Sequence, residues 1–315
     1  MPTPAATPSP AALTTVLPTI TPTVTLVSFP TPTVTSTPTL TPQPTSVLSP
    51  PLRQSPERSQ GTVEGLAPTE EVMESQTLTI TIVYDNNAYD PRLRTVWGFS
   101  CLIEYRGQVI LFDTGGDFPT LLANMATLGI DPGELEAVVL SHIHGDHTGG
   151  LPGILERAGD GLTVFVPQSF PGRFKEDVRT RAQLVEVVEP REIDKGVYTT
   201  GELGTGIIEQ SLVVRTDEGL VVVTGCAHPG VVEIVRKAKA MSGDEVYLVL
   251  GGFHLGGKSR REIEGIISEF RRLGVQKVAP CHCTGEQAMG MFRKEYGGDF
   301  IQAGAGKVIR VPSPE

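Results

Sequence analysis

From residue 77 onward, the order of apolar and polar positions is that of short strands interleaved with helices. TLTITIVY (77–84) alternates with period two and is rich in β-branched residues, which predicts a strand with one polar face. WGFSCLIEY (97–105) and QVILFDTGG (108–116) follow, and Arg106-Gly107 between them reads as the turn of a hairpin. FPTLLANMATLG (118–129) spaces its Leu and Met residues helically and stops at a glycine, and ELEAVVLS (134–141) is a buried strand.

The same character continues to the end of the chain. LTVFVP (162–167), LVEVV (184–188), IIEQSLVVRT (207–216), LVVVTG (220–225), VYLVLGG (246–252), VQKVAP (275–280) and GKVIRV (306–311) read as strands. VVEIVRKAKAM (231–241), REIEGIISEFRRLG (261–274) and residues 286–296 read as helices. Sheets covered by helices on their outer faces are the architecture this order predicts, an α/β (α+β) fold. All six histidines, at 142, 144, 147, 228, 254 and 282, fall in loops directly after an apolar strand, where such folds place ligand sites.

Composition divides the chain in two. Residues 1–52 carry no charged side chain, and the first 50 positions hold 12 of the 26 prolines together with 15 threonines. Such a segment buries too little apolar area to offset its ordering entropy, and proline removes backbone donors. The expectation is a disordered Thr/Pro-rich stalk and linker over 1–75 and a folded catalytic domain over 76–315. No apolar run is long enough for a membrane helix, and no secretory signal is legible at the start. Thr/Pro stalks accompany exported and surface-tethered proteins, so cytoplasmic and exported locations both stay open. A net charge of −10 argues against a nucleic-acid backbone as partner and leaves a small-molecule substrate as the expectation. Four cysteines are too few for a disulfide scaffold in a domain this long, and they read as reduced thiols.

Chemistry concentrates in SHIHGDHTGG (141–150), which holds half of the histidines. His142 and His144, two apart, can face one point, while Asp146 and His147, beyond the flexible Gly145, can face another. That division favours two ions a few Å apart sharing a bridging hydroxide.

The run His142-Xaa-His144-Xaa-Asp146-His147 followed by Thr148-Gly149-Gly150 resembles the signature of the metallo-β-lactamase superfamily. VYDNNAY, WGFSCLIEY, ILFDTGG, TGCAHPG, LGGFHL and PCHCTG extend the resemblance over the whole domain and toward the dihydropteroate-synthase-like subgroup. The resemblance implies an αββα sandwich with metals at one edge between the sheets. By it His142, His144, Asp146 and His147 bind metal, His282 is the final histidine ligand, and Asp113 supports the ligand loop from behind.

Two departures from the superfamily pattern stand out. No histidine occurs from residue 148 to 227, where one is usual, and Cys226 takes the place of a bridging aspartate. Cys226 and His228 both qualify as ligand there, with His228 favoured and Glu209 a weaker candidate; His228 also reads as a helix cap or substrate donor. His254 reads equally as a ligand or as an acid, base or phosphate donor in the cleft. Cys281 and Cys283 flank His282, and alternation along an extended strand would turn both away from its face as packing residues. Cys101, in an apolar strand, reads as core.

In the resembling subgroup Asp85-Asn86-Asn87 and Trp97-Gly98-Phe99-Ser100 are characteristic, which places Asn86, Asn87, Trp97 and Ser100 near the pocket mouth. Trp97 can stack on a flat ring, or fill the core beside a hairpin. Thr284-Gly285 and the helix start after Pro229-Gly230 can offer amides to a phosphate. The reading as a whole is a dinuclear hydrolase with Asp146 and His254 as catalytic groups and two divalent ions, zinc first and iron or manganese as alternatives. A transferase joining an aryl-ribosyl phosphate to a dihydropterin is the runner-up. A non-catalytic surface module is the third reading, against which the intact metal signature stands.

Overall fold

In the computed structural model, which describes residues 77–312, each long apolar run becomes a strand or the inner face of a helix. The expected stalk over 1–75 lies outside the described residues, as does the tail at 313–315. The chain opens with β1 (Leu78–Asp85), β2 (Phe99–Tyr105) and β3 (Gln108–Phe112), then α1 (Phe118–Leu128) and β4 (Ala137–Val139). A four-residue helix α2 (Gly145–Thr148) and α3 (Leu151–Leu155) precede β5 (Thr163–Pro167), α4 (Gly172–Arg179) and β6 (Gln183–Val187). The second half runs β7 (Arg191–Asp194), β8 (Val197–Thr199), β9 (Leu212–Thr216), β10 (Gly219–Thr224), α5 (Val231–Ser242) and β11 (Val246–Gly252). It ends with α6 (Arg260–Arg272), β12 (Lys277–Cys281), α7 (Glu286–Tyr296) and β13 (Val308–Val311).

Seven strands form one sheet in the order β13-β1-β2-β3-β4-β5-β6, and six form the other in the order β12-β11-β10-β9-β8-β7. Both sheets are mixed. β1 pairs antiparallel with both of its neighbours, Ile80 sitting between Ile103 of β2 and Ile309 of β13, while β3 to β6 and β10 to β12 pair parallel across helical crossovers. One core lies between the sheets and joins Ile80, Ile82, Phe99 and Phe112 of the first to Leu212, Val221, Val223, Leu248 and Leu250 of the second. Two further cores seal the outer faces. Leu121, Met125, Leu151 and Val178 of the helices cover the first sheet, and Ile234, Val235, Ile263, Phe270 and Phe292 cover the second. The result is the αββα sandwich expected from the sequence.

Three local expectations change. TLTITIVY has no polar face: Val83 and Tyr84 pack under α1 and Thr81 is buried, because helices cover both sides of this sheet. The predicted strand over 207–216 begins only at Leu212, since Glu209 and Gln210 turn their side chains into buried hydrogen bonds. The hairpin of β7 and β8 and the helix α4 escape notice because the strands have only four and three residues and the helix is mostly exposed and polar.

The sandwich brings the ends of β1, β3, β4, β10, β11 and β12 to one edge. Four of the five described non-glycine residues with positive φ, Asp113, Ala227, His254 and His282, lie in the loops leaving that edge. Such conformations cost free energy and persist only where the surroundings impose them.

Candidate metal centre

β4 delivers Ser141 and His142 to the edge, and α2 carries Asp146 and His147 one turn later. The glycines after the motif have a steric reason. A Cβ at Gly149 would lie 2.0 Å from the carbonyl oxygen of Gly116, and one at Gly150 would lie 2.1 Å from that of Thr114. With both positions bare, α2 docks on the loop after β3, where Thr114 N donates to His147 O at 2.7 Å and Gly149 N to Gly115 O at 2.9 Å.

Asp113 ties the loop after β4 to α2. Its Oδ1 accepts from Ser141 N at 2.7 Å, and its Oδ2 accepts from Ser141 Oγ and lies 2.7 Å from His147 Nδ1. A fully buried carboxylate in that position requires the proton on Nδ1, so the lone pair of His147 is on Nε2 and faces the site. Because Ser141 Oγ donates to Asp113, it accepts from His142 Nδ1 at 2.9 Å, and His142 Nε2 is left facing His144 Nδ1 at 3.1 Å. On the far side Asn86 Oδ1 lies 2.9 Å from His282 Nδ1, and Asn86 Nδ2 donates to His282 O at 3.2 Å. Three imidazoles are thereby set with Nε2 inward.

The sulfur of Cys226 stands at the middle of this arrangement, 3.3 Å from His147 Nε2 and 3.3 Å from His282 Nε2. Asp146 Oδ2 is 3.7 Å from the first of these nitrogens and 3.5 Å from the second. Donor atoms of Asp146, His147, Cys226 and His282 all lie within 4.8 Å of one another, as do those of His142, Cys226 and His228. Cys226 belongs to both groups, and His144 stands beside the second, its ring 4.9 Å from that of His228. His228 Nε2 is buried with no hydrogen-bond partner, an orphaned acceptor or donor in a ring of imidazoles. That donor set, four inward nitrogens or more with one sulfur and one carboxylate, fits divalent metal ions.

Burial and neighbouring groups shift these residues in different directions. Burial, and then the neighbouring imidazoles, hold His142 far below the ordinary histidine range, and burial with His254 and His144 beside it brings His228 down to about 4. Both therefore present neutral rings. Burial pushes the Asp146 carboxyl up, but His282 and His147 outweigh it and hold the group well below the usual carboxylate range. For His147, burial is overcome by the charge and hydrogen bond of Asp113, which raise it.

Glu209 is not among the converging donors. Its Oε1 accepts from Cys226 N at 3.0 Å and Ala227 N at 2.8 Å, and its Oε2 accepts from His228 N at 2.8 Å. Burial pushes this carboxyl up to about 7 while the amide protons pull it down. Its work is to shape the turn that carries Cys226 and His228.

Other expected site residues divide. Trp97 is 57% exposed with its ring 4.9 Å from that of His282, so it is no core aromatic. Asn86 spends its amide on His282, Asn87 Nδ2 donates to Asp85 Oδ1 at 2.6 Å, and Ser100 Oγ donates to Asp113 O at 2.8 Å. His254 is exposed beside His228, ring centroids 4.4 Å apart. Cys101 and Cys281 are core residues, but Cys283 is not turned away. A 3₁₀ turn over His282–Thr284, with φ +49° at His282, breaks the alternation and brings Cys283 within 4.8 Å of Cys226 and His254. Ser141 was missed altogether, since a serine between a strand and a metal motif carries no distinguishing pattern.

The family model of the metallo-beta-lactamase superfamily matches residues 98–233. A 7,8-dihydropterin-6-methyl-4-(beta-D-ribofuranosyl)-aminobenzene-5'-phosphate synthase of Methanocaldococcus jannaschii is 32% identical over 73% of this chain and 95% of its own length. A ribonuclease Z of Salinibacter ruber is 33% identical over 37% of this chain and 34% of its own length. Among solved structures, a metal-dependent hydrolase of the beta-lactamase superfamily superposes with a TM-score of 0.64 at 32% identity, covering 75% of this chain and 100% of that one. No helix among the described residues is long and apolar enough to cross a membrane.

Proposed function

This chain belongs to the metallo-β-lactamase superfamily, and on that footing we propose that it is a two-metal hydrolase of a small ester-type or phosphoester substrate. The observation that carries this reading is the pair of donor groups meeting at Cys226. His142, His144 and His228 would hold one ion and Asp146, His147 and His282 the other, with Cys226 common to both. Bound ions supply a lowered pKa for water and offset negative charge that develops on the substrate. A shared thiolate favours softer ions, zinc first, then iron, over manganese.

The protein's own groups do the rest. Asp113 and Asn86 keep the protons of His147 and His282 on Nδ1, so both Nε2 atoms stay free for binding. His254, exposed at the rim, is placed to pass a proton from its ring nitrogen to a leaving oxygen.

The second reading, a transferase joining an aryl-ribosyl phosphate to a dihydropterin, draws on the synthase relative and on Trp97. An exposed indole beside His282 offers a face on which a flat ring can stack. One set of measurements separates the readings: turnover of phosphoesters, lactones and a tRNA precursor by metal-loaded protein, with titration of a pterin against Trp97 fluorescence. Hydrolysis of a small ester without pterin quenching supports the first reading. Saturable quenching, with condensation and no hydrolysis, supports the second. RNA cleavage would overturn the small-molecule substrate in both.

A further inference from the structure

Of the four cysteines, Cys101 and Cys281 are sealed in the sandwich, fully buried. Cys226 and Cys283 differ from them in place and in company. Cys226 lies in the turn after β10 and Cys283 in the turn after β12, outside the strands themselves. Their sulfurs lie within 4.8 Å of each other and of a ring nitrogen of His254. Cys283 Sγ also donates to the carbonyl oxygen of Cys226 at 3.6 Å. Gly252 makes the approach possible, since a Cβ there would stand 2.7 Å from Cys283 Sγ. Cys283 is half-buried and gives solvent access to the pair, while Cys226 behind it is 4% exposed.

We propose that Cys226 and Cys283 are an oxidisable pair, which hydrogen peroxide converts to a disulfide that withdraws Cys226 from the metal-donor cluster. The accessible thiol reacts first. Cys283 Sγ attacks one peroxide oxygen, the O–O bond breaks, and the departing oxygen leaves as water with the proton of the thiol, passed through His254. The product is a sulfenic acid on Cys283. Cys226 Sγ then attacks that sulfur, an S–S bond forms as the S–O bond breaks, and the hydroxyl leaves as a second water with the Cys226 proton. Two thiols supply the two electrons that reduce the peroxide. A sulfur engaged with an ion is a poor partner for the second step, so bound metal protects the pair. That protection rests on the metal reading above, whereas the pairing rests on the thiol geometry alone.

The test uses the full chain in two states, metal-loaded and chelator-treated, with metal content measured on each, exposed to hydrogen peroxide and mapped by peptide mass. The chelated protein is expected to lose two free thiols and to yield one linked peptide pair, Cys226 with Cys283, lighter by two hydrogens. Metal-loaded protein is expected to form it roughly tenfold more slowly. Cys283→Ser is expected to abolish the linked pair while Cys281→Ser leaves it in place. No linked pair in the chelated protein, or one that contains Cys101 or Cys281, would overturn the proposal. Linkage at equal rates in two samples shown to differ in metal would overturn the withdrawal of Cys226. A chain that takes up no metal yet links these residues would defeat the proposed function and leave the pair standing.

Discussion

Asn86 and His282, 196 residues apart in sequence, meet with Oδ1 of the amide 2.9 Å from Nδ1 of the imidazole. The contact fixes which nitrogen of His282 faces Cys226. Asn86→Ala frees the ring to rotate and to change tautomer, and metal affinity is expected to fall roughly 10–100-fold, as for other partners of metal-ligating histidines. Competition with a metal indicator would measure it. Unchanged affinity with unchanged fold would show that His282 needs no orienting partner.

Cys226 is common to both donor groups, so it should govern the number and the kind of ions held. Cys226→Ala is expected to reduce bound metal below two equivalents by elemental analysis. Cys226→Asp is expected to restore the count and move preference from zinc toward manganese, because a carboxylate is the harder ligand. A full zinc complement in Cys226→Ala would remove the thiol from the ligand set.

Glu209 accepts from three consecutive amides. Glu209→Gln keeps the shape but turns an amide group with its own N–H bonds toward donors, leaving at least one buried N–H unsatisfied at a cost of about 1–3 kcal/mol. Chemical denaturation of metal-free protein is the readout, and it separates this role from ligation: a ligand would change only the loaded form.

Metal removal should be felt by the whole domain. Ions that bind only the folded state stabilise it by about 2.7 kcal/mol when free ion stands at about one hundred times Kd, so chelation is expected to lower Tm by about 5–10 °C for a domain of this size. Differential scanning calorimetry with and without chelator reads the shift directly, and coincident transitions would argue against tight binding.

The steric contact at Gly149 gives a further expectation. A methyl group there meets the Gly116 carbonyl at 2.0 Å, so Gly149→Ala must push α2 off its seat at a cost of about 1–3 kcal/mol. Loss of metal in a chain whose circular dichroism is preserved would locate the damage at the ligand helix.

Much of this was legible in the order of the residues. Strands that lead to His142, His228, His254 and His282 announced themselves by apolar runs, because a sheet buried on both faces needs such runs, and the spacing in HIHGDH pointed to side chains that could converge on an ion. What stayed hidden depends on contacts between distant segments. Nothing local distinguishes Asn86, which turns its amide to His282, from a residue at a pocket mouth. Glu209 looked like a donor because its carboxylate is free in the sequence and becomes occupied only when the 226–228 turn arrives above it. Cys283 was misplaced because alternation assumes an extended backbone, and one residue with positive φ undoes that assumption.

The turn from Cys226 to His228 rests its amide protons on a carboxylate supplied by its own chain, so its shape does not await an ion. On the proposed reading, an ion that docks at this edge would meet a turn already built, and the donor atoms of that turn, the Cys226 sulfur among them, would choose among the ions without having to be folded by them.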